Sequence, residues 1–357
     1  MLDNQNPPRF SRKPKSLLII ILCLGMVTFS SCQVNQPEVN TAIDVSPILI
    51  TPELTEVTAT IQVIDQPGNP QDTQPAVSIT ATSGLLEPSA AATDFPEDFW
   101  KELPIFPESI SDKMREVYEK GLEMGNDPQS FIRVGDCNSK NPDFLAGFDG
   151  KYNLGEYTYL QPTIDYFKGS FGRYNQTANP GNTTSRVVVS FWNNGDCLAN
   201  EPMLECQFRL DNPSIAFISL GTIDAKYDYK YPTSFERNLR RIIEKTLENG
   251  IIPILVTKAD NLEGDYSINA TIARLALEYE VPLWNFWRST QALEHVGLLP
   301  DMEHLNFLAG PPSTDFSSPY SLYYAKEVRN LNGLQMLNFL LEELGIFEKA
   351  TTPTVIP

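Results

Sequence analysis

The chain has 357 residues, and its 27 lysines and arginines stand against 45 aspartates and glutamates, which gives a net charge of −18. A chain this acidic lacks the basic face that nucleic-acid binding requires, so we expect no nucleic-acid partner. The length is sufficient for one large α/β domain flanked by segments of different composition.

Residues 1–32 have the pattern of a bacterial export signal. Basic residues precede an uncharged stretch, residues 16–29, which is shorter than the about 20 residues of a membrane span. Ser30, Ser31 and Cys32 follow, and they resemble the lipobox of bacterial lipoproteins, in which the cysteine is lipidated and becomes the mature N-terminus. We therefore expect an exported protein with a lipid anchor at Cys32 in the cell membrane, facing outside; plain secretion and an uncleaved anchor are the alternatives.

The next segment, residues 33–92, differs from the rest of the chain. It contains seven acidic residues and no lysine or arginine, and it is rich in Pro, Thr, Ser and Gln. Such a composition buries too little apolar surface to offset the entropy of ordering, which predicts a disordered linker. The folded domain is predicted over residues 93–350, followed by a disordered tail over residues 351–357.

Short apolar runs alternate with helical patterns in the folded part. The predicted strands span residues 130–134, 171–177, 214–220, 251–257 and 281–286, and the clearest helical patterns span residues 233–246, 267–279 and 331–344. Near-continuous apolar runs are typical of strands that are covered on both faces. The alternation predicts a three-layer α/β sandwich with a central, mostly parallel five-stranded sheet, whose chemistry gathers at the carboxyl ends of the strands.

The five cysteines differ in context. Cys23 lies in the apolar stretch of the signal. Cys197 and Cys206 flank a short polar loop, and in an exported protein they are predicted to form a disulfide. Cys137 is then left unpaired. The chain has two histidines and no Cys/His spacing typical of a metal site, so neither a metal nor another cofactor is expected.

Four short motifs follow the predicted strands in chain order. They are Gly135-Asp136-Cys137, Gly181, the run Gly221-Thr222-Ile223-Asp224, and Asp301-Met302-Glu303-His304. Their order and spacing resemble the SGNH hydrolase family, also called GDSL esterases and lipases, over residues 130–345. That family has Gly-Asp-Ser, a glycine, Gly-x-Asn-Asp and Asp-x-x-His at these places. Here Cys137 stands at the position of the nucleophilic serine, and Ile223 at that of the asparagine.

The resemblance implies an ester hydrolase without cofactors. Cys137 would be the nucleophile, His304 the base and Asp301 the group that orients it. Backbone N–H groups of Cys137 and Gly181 would bind the oxyanion, and Gly221, Asp136 and Asp224 would complete the oxyanion and substrate site. A helix N-terminus and a neighbouring imidazolium are expected to lower the pKa of Cys137. The implied substrates are carboxylic esters, either acylated carbohydrates or small lipid esters.

Several alternatives stay open. The main one is a catalytically inactive module of the same fold that binds an extracellular glycan or a cell-wall ligand, which the substitution at Ile223 favours. Cys137 is alternatively an inert buried residue or a site of other thiol chemistry. Trp284, Phe286 and Trp287 are predicted to belong to the core and the cleft wall, with sugar stacking as the alternative, and residues 258–261 are predicted to form a polar loop rather than a cleft lining.

Overall fold

The computed structural model describes residues 96, 98–190, 195–228 and 232–349. The predicted export signal with Cys32, the acidic linker and the tail at residues 351–357 lie outside the described residues, so these assignments remain predictions. Among the helices that the structure describes, none is both long and apolar enough to cross a membrane.

Four parallel strands form the sheet, in the order β1-β2-β3-β4. They are β1 (Asp127–Gly135), β2 (Pro213–Ser219), β3 (Ile252–Val256) and β4 (Leu283–Trp284). The α-helices are α1 (Asp112–Met124), α2 (Gln161–Tyr166), α3 (Thr184–Val187), α4 (Met203–Asp211), α5 (Thr222–Asp228), α6 (Pro232–Glu248), α7 (Ser267–Tyr279), α8 (Phe286–Thr290) and α9 (Ala325–Glu343). Short 3-10 helices span Phe99–Glu102, Ala146–Asp149, Thr158–Leu160, Glu294–Gly297 and Ser321–Tyr323.

The sheet is buried on both faces. Every residue of β3 is buried, and so are the first six residues of β2. Because successive side chains of a strand point to opposite faces, burial of an unbroken run means that helices or loops cover both sides of the sheet. The predicted α/β class, a parallel sheet between layers of helices, is confirmed.

The prediction of five strands is wrong, because the sheet of the described residues has four. Residues 171–177 form no strand: the Phe171 ring packs against that of Phe131, with ring centroids 5.2 Å apart, and the Asn175 carboxamide oxygen accepts a hydrogen bond from the Arg133 backbone N–H. Side-chain contacts replace the strand's ladder here, and only Ala178 makes a single parallel bridge to Gly135. The last predicted strand shrinks to the two residues of β4, since α8 begins at Phe286.

The bridge at Ala178 defines a switch in the direction of the chain. Gly135 donates its N–H to Thr177 O and accepts the N–H of Asn179, on the edge of β1 that faces away from β2. The chain therefore passes first to one side of β1 and then returns to pair on the other side as β2. In α/β proteins, ligands bind at such a point, beyond the carboxyl end of the strand. Cys137 lies two residues past the end of β1.

The predicted disulfide is confirmed. Cys197 and Cys206 are bonded, with their Cα atoms 5.3 Å apart. Among the residues that the structure describes, Cys137 is then the one cysteine with a free thiol, and it is buried.

Candidate active site

The turn after β1 is held by its own backbone and by a close approach at Gly135. A Cβ on Gly135 would lie 2.3 Å from the Ser139 hydroxyl oxygen, so only glycine lets the chain fold back this tightly. The Asp136 carboxylate accepts a hydrogen bond from the Asn138 N–H at 3.0 Å, and the Asp136 carbonyl accepts one from the Ser139 N–H at 3.0 Å. Cys137 therefore lies in a tight turn whose conformation its neighbours fix.

Arg329, on α9, stabilises this turn from the protein interior. It is buried, and it donates hydrogen bonds to the Asn138 carbonyl (3.0 Å), the Ser139 hydroxyl (2.9 Å) and the Ser219 hydroxyl (2.8 Å). Its guanidinium also lies 4.6 Å from the centre of the Phe144 ring. Burial lowers the pKa of Arg329 to about 10, so it remains a cation at neutral pH. One side chain thus ties the ends of β1 and β2 together, and nothing in its local sequence predicts this.

Asp301 and His304 form a pair on the loop before α9. The Asp301 carboxylate is 2.8 Å from His304 Nδ1, and its other oxygen accepts the backbone N–H groups of Glu303 and His304, each at 3.0 Å. These backbone hydrogen bonds, together with the imidazole, hold the pKa of Asp301 at about 2. An ionised Asp301 keeps the proton on Nδ1, which leaves Nε2 as the nitrogen that can accept another.

Asn138 connects this loop to the cysteine turn. Its amide donates to the Glu303 carbonyl at 3.1 Å, and its carbonyl oxygen accepts the Leu305 N–H at 3.3 Å. The connection brings Cys137 Sγ, a ring nitrogen of His304 and a carboxylate oxygen of Glu303 within 4.8 Å of one another. The predicted nucleophile, base and orienting aspartate therefore meet. Glu303, which the sequence reasoning missed, lies beside them.

The thiol of Cys137 is in an unfavourable environment for ionisation. Its side chain is only 8% exposed, and burial raises its pKa to about 12, with the negative charges of Asp136 and Glu303 adding to the effect. The expectation that a helix N-terminus lowers this pKa is wrong, because residues 137–139 form a turn and no helix begins there. The resting thiol is therefore protonated at neutral pH. Burial also raises the pKa of Asp136, to about 6.

Two backbone donors near the turn are unused. Within the described residues, neither the Cys137 N–H nor the Gly181 N–H donates a hydrogen bond to another residue. Gly181 has a φ of +80°, a conformation that favours glycine. It lies three residues after Ala178, which is bridged to Gly135 of β1. These N–H groups are the two that the sequence predicted for the oxyanion.

The other predicted site residues have internal partners or fill space. The Asp224 carboxylate accepts the Thr184 N–H at 2.9 Å and the Thr184 hydroxyl at 2.6 Å, so it holds the start of α3. Gly221 has a φ of +134°, and a Cβ there would lie 2.7 Å from the side chain of Ile268. Ile223 is buried. This use of Asp224 and Gly221 favours structural roles over the predicted contact with substrate.

A buried ionic cluster follows β3. The Lys258 ammonium is 2.7 Å from the Asp260 carboxylate and also contacts Glu263, while the Thr222 hydroxyl donates to Asp260 at 2.7 Å. The prediction of a polar loop rather than a cleft lining at residues 258–261 is wrong, because Lys258 and Asp260 are buried and line a cavity. Between this cluster and Asp136 lies a cavity of about 10 Å³, the room that one water molecule needs.

The aromatic residues after β3 belong mainly to the core, as predicted. Trp284 and Phe286 are buried, and Trp287 is half-buried with its ring 4.7 Å from that of Trp100. Their rings are therefore unavailable to stack on a sugar, and the alternative of sugar stacking by these residues is not supported.

No protein-family profile matches the chain, and no curated protein matches it. Solved structures do show similarity. A psychrotrophic esterase from Pseudoalteromonas sp. is 15% identical and covers 61% of this chain and 99% of its own, with a TM-score of 0.37. A GDSL-like lipase from Bacteroides thetaiotaomicron is 16% identical and covers 64% of this chain and 97% of its own, with a TM-score of 0.34. An acetylxylan esterase from Geobacillus stearothermophilus, solved as a catalytic mutant, is 16% identical and covers 62% and 95%, with a TM-score of 0.34. At these low TM-scores, the function proposed below rests on the geometry of the site itself.

Proposed function

We propose that this protein is an SGNH-like hydrolase of carboxylic esters, in which Cys137 is the nucleophile, His304 the general base and Asp301 its orienting partner. The observation that carries the proposal is the meeting of these three groups. Cys137 Sγ lies within 4.8 Å of a His304 ring nitrogen, and His304 Nδ1 lies 2.8 Å from Asp301. A nucleophile, a base within reach and an orienting carboxylate are the parts that covalent acyl transfer needs.

The chemistry begins with a protonated thiol. As Sγ attacks the ester carbonyl carbon, His304 Nε2 takes the thiol proton, and the carbonyl oxygen becomes an oxyanion. The C–O bond then breaks, and His304 returns the proton to the departing alcohol, which leaves a thioester on Cys137. Water attacks the thioester with His304 again as base, which releases the carboxylic acid and restores the thiol.

Two unused backbone donors support stabilisation of the oxyanion. Among the described residues, the N–H groups of Cys137 and Gly181 donate to no other residue, so both are available to a developing negative charge. Ile223 supplies no donor where the family has an asparagine. The absence of one oxyanion donor lowers a rate by about 10²–10³-fold, so we propose a slow enzyme.

The cavity beside Asp136 is not an acyl site, because its volume of about 10 Å³ holds one water molecule and neither Cys137 nor His304 lines it. We propose acylated carbohydrates or small lipid esters as the substrates.

The test is multiple-turnover hydrolysis of aryl acetate and aryl octanoate by the purified chain. We expect hydrolysis to depend on both side chains, so Cys137→Ala and His304→Ala should each lower kcat/KM by about 10³-fold or more. His295→Ala is the matched control, since His295 is exposed and its side chain lies beside the exposed Glu294. Equal turnover by the wild type and both alanine variants would rule out the proposed mechanism.

One observation favours the second candidate, an inactive module of the same fold that binds an extracellular glycan or cell-wall ligand. Burial of Cys137 and the raised pKa of its thiol suit a site that no longer performs acyl transfer. If the wild type forms a single acyl-thioester per chain and never turns over, or does not react at all, the module is the better description. Retention of the chain on immobilised cell-wall polysaccharide would then support it.

We also propose that the chain is exported and anchored through a lipid at Cys32. The disulfide between Cys197 and Cys206 supports export, because disulfides persist in oxidising compartments. Metabolic labelling with a fatty acid should label the wild type, and Cys32→Ser should abolish the label. An unlabelled wild-type chain in the culture medium would instead favour plain secretion.

A further inference from the structure

Three side chains with metal-ligating atoms converge at the candidate active site. Cys137 Sγ, a carboxylate oxygen of Glu303 and a ring nitrogen of His304 all lie within 4.8 Å of one another. The motifs predict that Cys137 and His304 lie together, but nothing in the sequence indicates that Glu303 joins them. The fold therefore adds the third ligand type to the group.

The ligand set is suited to zinc. Thiolate, imidazole and carboxylate are the three protein ligands that Zn²⁺ uses, and three protein ligands with a fourth position open to water is a common arrangement. Metal–ligand bonds of about 2.0–2.3 Å place tetrahedral ligand atoms about 3–4 Å apart. Atoms that already lie within 4.8 Å of one another therefore need to shift by only about 1 Å to close around an ion.

Hydrogen bonds already orient the three groups. Asp301 accepts from His304 Nδ1 at 2.8 Å, the outer carboxylate–histidine contact that metal-binding histidines use. The Asn138 amide fixes the backbone of Glu303 through its carbonyl. One oxygen of Glu303 is 2.6 Å from the Lys226 ammonium, but the Lys226 side chain is 45% exposed and free to swing into solvent, and the second oxygen remains for a metal.

A second group of residues with metal-ligating atoms serves as an internal contrast. Cys197, Glu201 and Cys206 are also close together, but both thiols are consumed in the disulfide, and Glu201 pairs with Arg209 at 2.8 Å. That group has no thiol to offer a metal. Cys137, with its free thiol, belongs to the group that does.

We propose that Cys137, Glu303 and His304 bind one Zn²⁺ ion or another thiophilic divalent cation, and that this ion switches off ester hydrolysis. The second half rests on the proposed function. On binding, the cation replaces the thiol proton, which passes to solvent, and the His304 lone pair is donated to the metal; no group is oxidised or reduced. Both the attacking sulfur and the accepting nitrogen are then occupied, so neither can serve acyl transfer.

The experiment uses the full chain with Cys23→Ser and Cys32→Ser, which leaves Cys137 as the single free thiol. Zn²⁺ is titrated against a chromogenic chelator, with Mg²⁺ in excess to occupy weak carboxylate sites. Co²⁺ is added separately, because a cobalt–thiolate bond gives a charge-transfer absorption in the near ultraviolet. We expect one Zn²⁺ per chain, the cobalt–sulfur band, and loss of both in Cys137→Ala.

Two matched variants test the remaining ligands. Glu303→Gln should weaken Zn²⁺ binding by about 100-fold or more, since even outer partners of a metal site contribute about 10–100-fold. Glu294→Gln, beside the exposed His295, should leave binding unchanged. The proposed site would be overturned if the wild type bound no Zn²⁺. It would also be overturned if Cys137→Ala and Glu303→Gln bound Zn²⁺ as tightly as the wild type.

Activity separates this inference from the proposed function. Metal-free wild type should hydrolyse aryl acetate, and Zn²⁺ should stop it at the concentration that fills the site, with Glu303→Gln needing about 100-fold more. An active enzyme that neither binds Zn²⁺ nor is inhibited by it contradicts the metal site alone. A chain that binds Zn²⁺ through Cys137 but hydrolyses nothing when metal-free contradicts the proposed function alone.

Discussion

Two aspartates flank the candidate nucleophile and base, and their environments are opposite. Asp301 is half exposed and accepts two backbone N–H groups and an imidazole, which brings its pKa to about 2. Asp136 is 3% exposed and accepts the N–H of Asn138, and burial raises its pKa to about 6. The comparison shows that hydrogen-bond donors set the charge of one carboxyl group, while loss of solvent sets that of the other.

The same contrast divides the proposed catalytic apparatus. The base and its partner are half exposed and Asp301 is ionised, whereas the nucleophile lies where a charge is disfavoured. The thiolate can therefore form only as its proton moves to His304 and its charge moves onto the substrate. Substitutions on each side of the site test this difference between the exposed pair and the buried groups.

Asp301→Asn removes the carboxylate from the exposed pair of Asp301 and His304. Asparagine no longer holds the proton on Nδ1 of His304, so we expect kcat to fall by up to about 10⁴-fold. Because the pair is half exposed, the free energy of unfolding should change by less than about 1 kcal/mol. Steady-state kinetics and urea unfolding measure the two effects. Retention of more than about a tenth of kcat would contradict the orienting role.

Arg329→Met removes the buried cation that supports the turn after β1. It removes the donor to the Asn138 carbonyl and to the hydroxyls of Ser139 and Ser219, and it leaves the buried Asp136 without a nearby cation. We expect the free energy of unfolding to fall by about 3 kcal/mol or more, as measured by urea denaturation. Arg329→Lys, which keeps the charge but not the planar fork, should lose less. Equal loss in both variants would show that geometry rather than charge dominates.

Asp136→Asn removes only the charge of the buried carboxyl group and so tests whether that charge destabilises the folded protein. The folded-state pKa of Asp136, about 6, exceeds its ordinary value of 3.8, so the folded protein loses stability as pH rises from about 4 to about 6. We expect the asparagine variant to gain about 1–3 kcal/mol relative to wild type at about pH 8, and to lose this gain by about pH 4. Urea unfolding across this range checks the sign. A gain that is independent of pH would mean that the carboxyl group is not its source.

Lys226→Met tests how the ion pair between Lys226 and Glu303 affects the Cys137 thiol, the smallest of the expected effects. Lys226 pairs with Glu303 at 2.6 Å on the partly exposed side of the site, so its removal leaves a bare carboxylate near Cys137. The thiol should ionise less readily, and its alkylation by iodoacetamide should slow by about 2–5-fold, the scale of an exposed ion pair. Lys245→Met, which removes another surface pair, is the control. Faster alkylation in Lys226→Met would mean that Lys226 mainly shields the thiol.

The sequence predicted the elements and groups that local patterns encode. Apolar runs located β1, β2 and β3 because strands buried on both faces need unbroken apolar stretches. The spacing of Asp301 and His304 predicted their contact, since both lie in one turn. Arg329 could not be predicted, because the groups that accept its hydrogen bonds come from distant parts of the chain. The partners of Lys258 are near in sequence, but the burial of the whole cluster depends on the fold.

Residues of the same type can differ in burial and pairing in ways that the local sequence does not indicate. Nothing in the local sequence separates Asp136, which loses its solvent, from Asp301, which keeps it. Residues 171–177 combine aromatic and polar residues as an edge strand does. Asn175, however, contacts β1 through its side chain, and the Gln176 N–H donates to the side chain of Gln207 on α4. Burial and three-dimensional pairing decide these cases, and both depend on the whole fold.

The sheet order has a consequence for folding. β1 pairs with β2 across an intervening stretch, residues 136–212. Its described residues include the turn with Cys137, three α-helices, two short 3-10 helices and the disulfide. Pairing over such a distance incurs a large loop-closure entropy and slows folding. Until β2 is available, β1 exposes an apolar strand with unpaired edges, the kind of segment that associates with other chains. Yields of folded protein should therefore depend on chain concentration, and a chain truncated before residue 213 should aggregate.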